Sequence, residues 1–226
     1  MKKLLACGMD RIYQIGPCFR EGERGRRHNP EFTMLEWYRK DATYLDLKAD
    51  LEALVSNLTD TLRLKGPFRT MEVREAYKSI AGWDPWTDWD HDRFDFDMAT
   101  KIEPAIADMG GGVFLTDYPQ QAASLAETAP AGNDGTLRAL RWEFYWDGLE
   151  LANAFSELCN REEQARRFEE SRAARRALGE ADYPVDGEFL DALPLMGKAA
   201  GAALGVDRLV MALTGATDIS SVRVGP

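Results

Sequence analysis

Two candidate strands joined by a short charged loop constrain this chain more than any other feature. Residues 11–20 form an apolar-rich run, and residues 32–39 alternate between two faces. As a strand, the second run has a period of two, so its even-numbered positions share one face. That face carries Phe32, Met34, Glu36 and Tyr38. The pattern predicts strands with one face equipped to bind a ligand.

The loop between these strands is rich in cations. Its basic residues near the aromatic face are Arg20, Arg26, Arg27 and His28. A flat ring, a polyphosphate and an ammonium group would all find partners at such a place. The alternative interpretation is an ordinary hairpin with a solvated tip, which explains most charge-rich loops.

The middle of the chain predicts helices and one short strand. Apolar residues at helical spacing predict a helix over residues 45–64. Thr70 is the predicted N-cap of a second helix, over residues 71–81. A third helix is predicted over residues 93–108, before three glycines, and residues 113–117 are predicted to form a buried strand.

Three tryptophans, Trp83, Trp86 and Trp89, lie in a turn-rich connector. We predict that they pack against the core instead of forming a binding platform, because large aromatic side chains contribute most of their energy through burial.

Asp147-Gly148 is a strong hairpin signal between residues 141–146 and 149–157. With a two-residue turn, Tyr145 would pair with Glu150, and Glu143 with Ala152. Glu143 and Glu150 would then share a face as diagonal neighbours, with Cα atoms about 7–8 Å apart. Two carboxylates at that distance repel unless a cation lies between them, and Mg²⁺ prefers oxygen ligands.

Strict alternation creates a conflict further along the same strand. It places Asn153, Phe155 and Glu157 on the face opposite Glu150. For all four side chains to line one pocket, the strand must bulge near Ala152, so we predict a bulge there.

Residues 160–178 predict an amphipathic helix that Gly179 ends. Its basic residues are interpreted as a solvated face balanced by glutamates, in preference to a docking site. The elements together predict an α+β domain, an antiparallel sheet with helices packed around it.

Composition limits the classes of function. The chain has 226 residues, of which 45% are hydrophobic, which suits a single domain over residues 1–226. Its formal net charge of −10 gives no indication of a general polyanion-binding surface, and this disfavours a tRNA substrate. Three scattered cysteines fit a reducing cytoplasm better than a zinc site or a disulfide framework. No targeting segment and no apolar run long enough to span a membrane is predicted.

Three blocks of this sequence resemble the class II aminoacyl-tRNA synthetases in their lysyl subgroup. Residues 11–39 are similar to motif 2, residues 201–215 to motif 3, and residues 141–158 to the metal and amino-acid hairpin. The resemblance covers nearly the whole chain and implies a synthetase-like antiparallel sheet flanked by helices. In that family motif 1 builds the dimer interface, so we expect motif 1 and part of the substrate pocket to lie upstream of Met1.

The resemblance implies that an amino-acid carboxylate attacks the α-phosphorus of ATP. The implied ATP-binding residues are Arg20, His28, Asn29, Phe32, Glu150, Leu151, Gly205 and Arg208. Among these, Arg20 and Arg208 are the catalytic cations, and Phe32 stacks on adenine. The implied lysine-binding residues are Glu36, Tyr38, Asn153, Glu157 and Ala203. Among these, Glu157 and Tyr38 would bind the side-chain ammonium group of lysine. Mg²⁺ would be held by Glu143 and Glu150.

The sequence departs from the lysyl pattern at one place. Gly22 stands where lysyl enzymes usually have a glutamate, two residues after the motif 2 arginine. Either Glu21 or Glu23 is a candidate to replace it.

Three features are similar to a truncated subgroup, the lysyl-tRNA synthetase paralogues that ligate lysine to elongation factor P. They are the run at residues 34–39, the segment at residues 114–126, and Ala203 in place of a glycine. This resemblance implies a preference for (R)-β-lysine, elongation factor P as acceptor, and a homodimer for the full-length family. Two alternatives stay open: the catalytic core of a lysyl-tRNA synthetase that charges tRNA(Lys), and a non-catalytic synthetase-like regulator.

Overall fold

The structure, a computed structural model, describes residues 1–58, 68–133 and 135–223. Its strands are β1 (Arg11–Phe19), β2 (Glu31–Lys40), β3 (Arg69–Glu72), β4 (Gly112–Pro119), β5 (Thr128–Pro130), β6 (Leu137–Trp146), β7 (Leu149–Ser156) and β8 (Ala199–Gly205). They form one sheet in the order β1-β2-β8-β7-β6-β4-β3, with β5 added beside β6. The pairings are antiparallel except that of β3 with β4. The predicted α+β class is therefore confirmed.

Helices cover this sheet. They are α1 (Lys2–Ala6), α2 (Tyr44–Leu58), α3 (Val73–Ala76), α4 (His91–Asp97), α5 (Glu103–Met109), α6 (Arg161–Ala177), α7 (Gly187–Met196) and α8 (Val206–Thr214). Two π-helical stretches, Tyr77–Ala81 and Met98–Ile102, extend α3 and join α4 to α5. Short 3-10 turns follow at Gln120–Ala122 and Ile219–Val222.

One face of the sheet packs against α2. Leu47, Leu51 and Val55 of this helix are completely buried, in a cluster that includes Trp142 and Phe144 of β6. Burial of each such aliphatic side chain contributes roughly 1.5–3 kcal/mol. Because this face is closed, ligands can reach only the opposite face.

The opposite face is covered in two places. Helices α1 and α7 pack over the end of β2 and the start of β8, around Tyr38 and Ala199. The segment from α3 to α5 packs over β4 and β6, around Tyr77, Ile102 and Tyr145. Trp83 is buried in this cluster, and the other two tryptophans pack against it, which confirms the predicted structural role. The part of this face that stays open, over the start of β2, the start of β7 and the end of β8, is available for a site.

Most predicted elements are confirmed. β1, β2 and β4 lie where the strand patterns placed them, and the helix predicted over residues 93–108 is present as α4, a π-helical stretch and α5. The helix predicted over residues 45–64 is observed as α2, and its predicted last part, from residue 59, lies outside the described residues.

The prediction of Thr70 as an N-cap is wrong. Residues Arg69–Glu72 form β3, which pairs in parallel with Val113–Thr116 of β4. The helix begins only at Val73, after Glu72. Pairing with a strand distant in sequence outweighs the local helical pattern, because tertiary contacts override propensity.

The helix predicted over residues 160–178 is confirmed as α6. The Asn160 side chain caps it by accepting a 2.8 Å hydrogen bond from the amide of Glu163. Its arginines pair with glutamates on the same helix, as in Arg166 with Glu163 and Arg172 with Glu169. These pairs agree with the predicted solvated helix face, on which glutamates balance the charge of the arginines.

Among the helices described, none is both long enough and apolar enough to cross a membrane.

Candidate active site

Four side chains stand in a row across the open face of the sheet. The strand register pairs Glu36 of β2 with Ala203 of β8, Ala203 with Asn153 of β7, and Asn153 with Glu143 of β6. Directly opposed residues in antiparallel strands point to the same face. Two carboxylates, an amide and a methyl group are thereby brought together from three distant parts of the sequence.

A β-bulge in β7 makes this row possible. Tyr145 pairs with Glu150, but Phe144 pairs with Ala152, so Leu151 is the extra residue. The predicted pairing of Glu143 with Ala152 is wrong, because the bulge shifts the register and Glu143 faces Asn153 instead. The bulge itself was predicted at this place. Beyond it the strand alternation is reversed, so Glu150 and Asn153 share the open face.

A cavity of about 330 Å³ lies over this part of the sheet. It is lined by Arg20, Glu23, Arg27, His28, Asn29, Phe32, Met34, Glu150, Leu151, Ala152, Asn153, Ala203, Gly205, Asp207, Arg208 and Ile219. All eight residues that the sequence suggested for ATP binding are in this set. Glu36, Tyr38, Glu157 and Glu143 do not line it, although the register places Glu36 and Glu143 beside its floor.

Arg208 is fixed at one wall of the cavity by several acceptors. Its Nη1 donates to the carbonyl of Glu150 at 2.9 Å and to the Oε2 atom of Glu150 at 3.3 Å. Its Nη2 lies 2.7 Å from Nε2 of His28. Since arginine can only donate, Nε2 of His28 is the acceptor and the ring proton is on Nδ1. Burial, followed by the charge of Arg208, lowers the pKa of His28, so this ring is neutral at pH 7.

Arg20 also lines the cavity, beside Phe32. Its guanidinium is 5.7 Å from the centre of the Phe32 ring, and its Nη1 is 3.1 Å from Oε1 of Glu23. The side chain of Arg20 is 59% exposed, so it is free to turn toward a ligand. Of the two candidates to replace the glutamate missing at Gly22, only Glu23 lines the cavity and contacts Arg20.

Asp207 and Arg27 are among the wall residues that were not recognised as site residues from the sequence. Asp207 accepts a 2.6 Å hydrogen bond from the amide of Thr33, which ties α8 to β2. Arg27, noted only as a possible anion contact, donates to the carbonyl of Gly148 at 3.1 Å and thereby links the motif 2 loop to the hairpin. The signal for Asp207 is its position before Arg208 at the start of α8.

Carboxylates accumulate beside Arg208. Glu143 accepts hydrogen bonds from Nη2 of Arg141 at 2.5 Å and from the hydroxyl of Tyr145 at 2.7 Å. Burial, and then the charge of Glu143, raise the pKa of Glu150 and also that of Glu103 on α5. Within the described ranges, no three acidic, histidine or cysteine side chains are grouped closely enough to hold a metal ion. A cation at this place would therefore need ligand oxygens as well.

A second, closed region lies beyond Ala203 on the same face. Here Tyr38 pairs with Gly201, and Gly201 with Phe155. The Tyr38 hydroxyl donates to Oε1 of Glu36 at 3.4 Å. A Cβ atom added to Gly201 would lie 2.3 Å from Cε1 of Tyr38 and 2.5 Å from Oε1 of Glu157. Only glycine leaves room for both side chains, so they meet over this residue.

Glu157 is 3% exposed and paired with a cation that sequence analysis missed. The Nζ atom of Lys2, on α1, is 2.5 Å from its Oε2 atom. The ammonium also lies 5.3 Å from the centre of the Phe155 ring. Burial raises the pKa of Glu157 to about 7, and Lys2 opposes this change. Nothing in the local sequence around Lys2 signals the contact, because the two residues are far apart in the sequence.

Comparison with known proteins gives a consistent result. The family model for tRNA synthetases class II (D, K and N) matches residues 1–226. A protein of Photorhabdus laumondii subsp. laumondii named elongation factor P–(R)-beta-lysine ligase is 38% identical over 98% of this chain and 73% of its own length.

Proteins of the same name from two Vibrio species are also similar. The one from Vibrio cholerae serotype O1 is 36% identical over 100% of this chain and 74% of its own length. The one from Vibrio atlanticus is 34% identical over 100% and 75%. The match of the family model over the full chain, together with these relatives, shows that the chain belongs to the class II tRNA synthetase family of the D, K and N type.

Proposed function

We propose that this protein activates lysine with ATP, (R)-β-lysine in preference to α-lysine, and transfers the lysyl group to a lysine side chain of elongation factor P. The observation that carries the proposal is that a cavity and a buried carboxylate lie on the same face of one sheet. The cavity is lined by two arginines and a phenyl ring, and the carboxylate is that of Glu157, in the closed region beyond Ala203. The names of the similar proteins support elongation factor P as the acceptor and (R)-β-lysine as the isomer.

The cavity suits a bent nucleotide. Phe32 offers a ring for adenine, and Arg20 and Arg208, which both line the cavity, offer guanidinium groups. In the first step the lysine carboxylate forms a bond to the α-phosphorus, the bond from this phosphorus to pyrophosphate breaks, and lysyl-adenylate results. Fixed cations stabilise the charge that develops on the phosphates, and positioning supplies the rest of the acceleration. Neutral His28 contributes a hydrogen bond to a distal phosphate.

The residues present fit a magnesium ion bound together with ATP. Glu143 and Glu150 lie on the same face, and the charge of Glu143 contributes to the raised pKa of Glu150, which is the repulsion that a cation relieves. Bound Mg²⁺ would offset the negative charge of the phosphates. Mg²⁺ is bound by six oxygen ligands, and two carboxylates do not supply that number. ATP and water would therefore provide the remaining ligands.

The closed region beyond Ala203 suits the side chain of lysine. Glu157 is buried there beside Tyr38, and Phe155 contacts the ammonium group of Lys2, so these side chains already hold one ammonium group at this place. Lys2 matches the charge of only one of the two carboxylates, Glu36 and Glu157, and the ammonium group of a lysine substrate would match the other. In the row of side chains, Glu36 and Asn153 flank Ala203 and would orient the amino acid.

The second step is acyl transfer. The amine of the acceptor lysine attacks the carbonyl carbon of lysyl-adenylate, an amide bond forms, and AMP leaves. The acidic balance of the chain favours a protein acceptor over tRNA.

A cytoplasmic location and a homodimer are parts of this proposal. Three unpaired cysteines support the first, and apolar side chains exposed along β1 (Tyr13, Ile15 and Phe19) support the second.

Pyrophosphate exchange with α-lysine and (R)-β-lysine side by side tests the first step. Transfer of labelled lysine to purified elongation factor P, with a tRNA(Lys) transcript as the competing acceptor, tests the second. We expect exchange with both isomers and transfer to the protein. Transfer to tRNA alone would establish the tRNA synthetase alternative, and an absence of exchange with either isomer would favour a non-catalytic regulator.

The magnesium ligands give a separate prediction. Glu143→Gln and Glu150→Gln should each raise the Mg²⁺ concentration for half-maximal exchange by at least about tenfold, since even indirect changes at metal sites commonly cost this much affinity. Glu170→Gln removes an exposed charge from α6 and serves as the control. An unchanged Mg²⁺ requirement in both hairpin variants would remove these residues from the metal site.

Ala203 gives a prediction about the isomer. Its methyl group lies between Glu36 and Asn153, where it should crowd the α-amino group of α-lysine. A β-amino acid moves that amine by one carbon and avoids the methyl group. Ala203→Gly should raise the use of α-lysine relative to (R)-β-lysine by roughly 10- to 200-fold, the range for one methyl-sized difference. Exchange rates with the two isomers measure this ratio.

Ala202→Gly is the matched control, because Ala202 is the next residue on β8 and its side chain is buried on the opposite face. Loss of a methyl group there should lower stability and leave the isomer ratio unchanged. If Ala203→Gly also leaves the ratio unchanged, Ala203 only packs, and the preference for β-lysine has another origin.

A further inference from the structure

Lys2 is the one cation within 4 Å of Glu157 among the described residues. Its side chain is 13% exposed and that of Glu157 is 0% exposed. The helix that carries Lys2 is anchored, since Leu5 is completely buried in a cluster with Leu190 and Leu193 of α7. The ammonium group of Lys2 therefore extends from a helix that packs against α7, and its position is fixed by the fold.

The two oxygens of Glu157 face different neighbours. Oε2 contacts Lys2, whereas Oε1 lies over Gly201 beside the ring of Tyr38. Apart from the ion pair, neither oxygen accepts a hydrogen bond within the part of the chain that the structure describes. A buried carboxylate with an unused oxygen retains the capacity to accept a second cationic donor.

We infer that Lys2 is a positioning residue for the amino-acid substrate: it holds Oε2 of Glu157 and keeps this carboxylate charged, while Oε1 receives the side-chain ammonium of lysine on the Tyr38 side. This inference rests on the proposed function and deepens it. It also accounts for the two carboxylates of this region. Glu36 and Glu157 together with Lys2 have a net charge of −1, which matches one incoming ammonium group.

The charge of Glu157 depends on its surroundings. The ionisable groups that face it are Lys2 from α1, Glu36 and Tyr38 from β2, and Cys159 just beyond β7. Burial raises the pKa values of both Tyr38 and Cys159, so these two groups are neutral near pH 7. Glu36 adds to the raised pKa of Glu157, and Lys2 lowers it. Among the ionisable groups in the described ranges, Lys2 alone therefore opposes protonation of this carboxyl group.

The sign of the pH dependence follows from these charges. A protonated Glu157 does not attract an ammonium group, so lysine affinity should increase as pH rises through about 7, the pKa of this carboxyl group. Removal of an opposite charge this close changes a carboxyl pKa by roughly 1 to 3 pH units. Without Lys2 the increase in affinity should move to higher pH.

Titration calorimetry with lysine at pH 7 and pH 9 tests the inference. Lys2→Met should bind lysine about tenfold more weakly than wild type at pH 7, but within about threefold of wild type at pH 9. Lys2→Arg should restore the wild-type profile. Lys3→Met is the matched control, because Lys3 is the next residue on α1 and pairs with exposed Asp186 and Glu188. It should change nothing.

The outcomes separate the possible roles. Equal weakening of Lys2→Met at both pH values would overturn the inference, as would tighter binding, which would make Lys2 a competitor of the substrate. If both Lys2→Met and Lys2→Gln fail to fold in thermal melts, the role of Lys2 is structural and the inference is wrong. If wild type binds neither α-lysine nor (R)-β-lysine at either pH, the proposed function itself fails.

Discussion

Replacing Arg208 by alanine is expected to reduce lysine-dependent pyrophosphate exchange by about 10²–10³-fold, the usual effect of removing one oriented donor from a transition state. The guanidinium group is held by the backbone and side chain of Glu150 and by the ring of His28. Little reorganisation is needed before it meets a phosphate. Arg20→Ala should have an effect of similar size, because Arg20 is the second cation that we propose binds the phosphates.

The kinetic pattern distinguishes catalysis from simple ATP binding. An arginine that acts mainly in the transition state lowers kcat and kcat/KM equally, whereas one that binds the ground state raises KM alone. We expect the first pattern for Arg20, whose exposed side chain must turn toward the reacting phosphate, and a mixture of the two for Arg208. Both variants should stay folded, and Arg20→Ala should retain the stability of wild type within about 0.5 kcal/mol, as exposed surface substitutions usually do.

Arg24→Ala is the matched control for this experiment. Arg24 lies in the same loop as Arg20, is exposed, and does not line the cavity. Its removal changes the net charge by the same amount and should leave exchange unchanged. Near-normal exchange in Arg20→Ala or Arg208→Ala would contradict the assignment of that residue to the phosphates, whatever happens in the control.

The parts of this fold that were predictable from sequence are those with local signals. The alternation over residues 32–39 placed Phe32 and Met34 on the ligand face, and the Asp147-Gly148 turn located the hairpin. The bulge was predictable for a different reason: chemistry required Glu150 and Asn153 on one face, and only an extra residue achieves this. Its position at Leu151 in place of Ala152 needed the structure, because small side chains do not mark a bulge by themselves.

The features that sequence analysis missed all depend on contacts between distant segments. β3 is a strand because it pairs with β4, whereas its own residues suit a helix start. The side chain of Asp207 binds the backbone of β2, and Lys2 pairs with a residue near the end of β7. No periodicity or turn signal encodes such pairings, since they arise only when the sheet order brings these segments together.

Glu157→Gln is the second change with a large expected effect. It preserves the shape of the side chain and removes its charge, so that Lys2 and the substrate ammonium would both lack their buried counter-ion. Truncating one partner of a buried charge pair commonly costs about 2–5 kcal/mol, which corresponds to roughly 30- to 5,000-fold in kcat/KM for lysine. Exchange kinetics measure the loss directly.

Norleucine makes this test specific for the ammonium group, because it has the carbon chain of lysine and no side-chain charge. Glu157→Gln should lose activity with lysine and keep the low activity of wild type with norleucine, so the preference for lysine should collapse. Glu127→Gln removes an exposed charge from the neighbouring segment and should leave the preference intact. If Glu157→Gln still prefers lysine by the wild-type ratio, Glu157 does not read the ammonium group. Glu36, the other carboxylate beside Tyr38, would then be the residue that does.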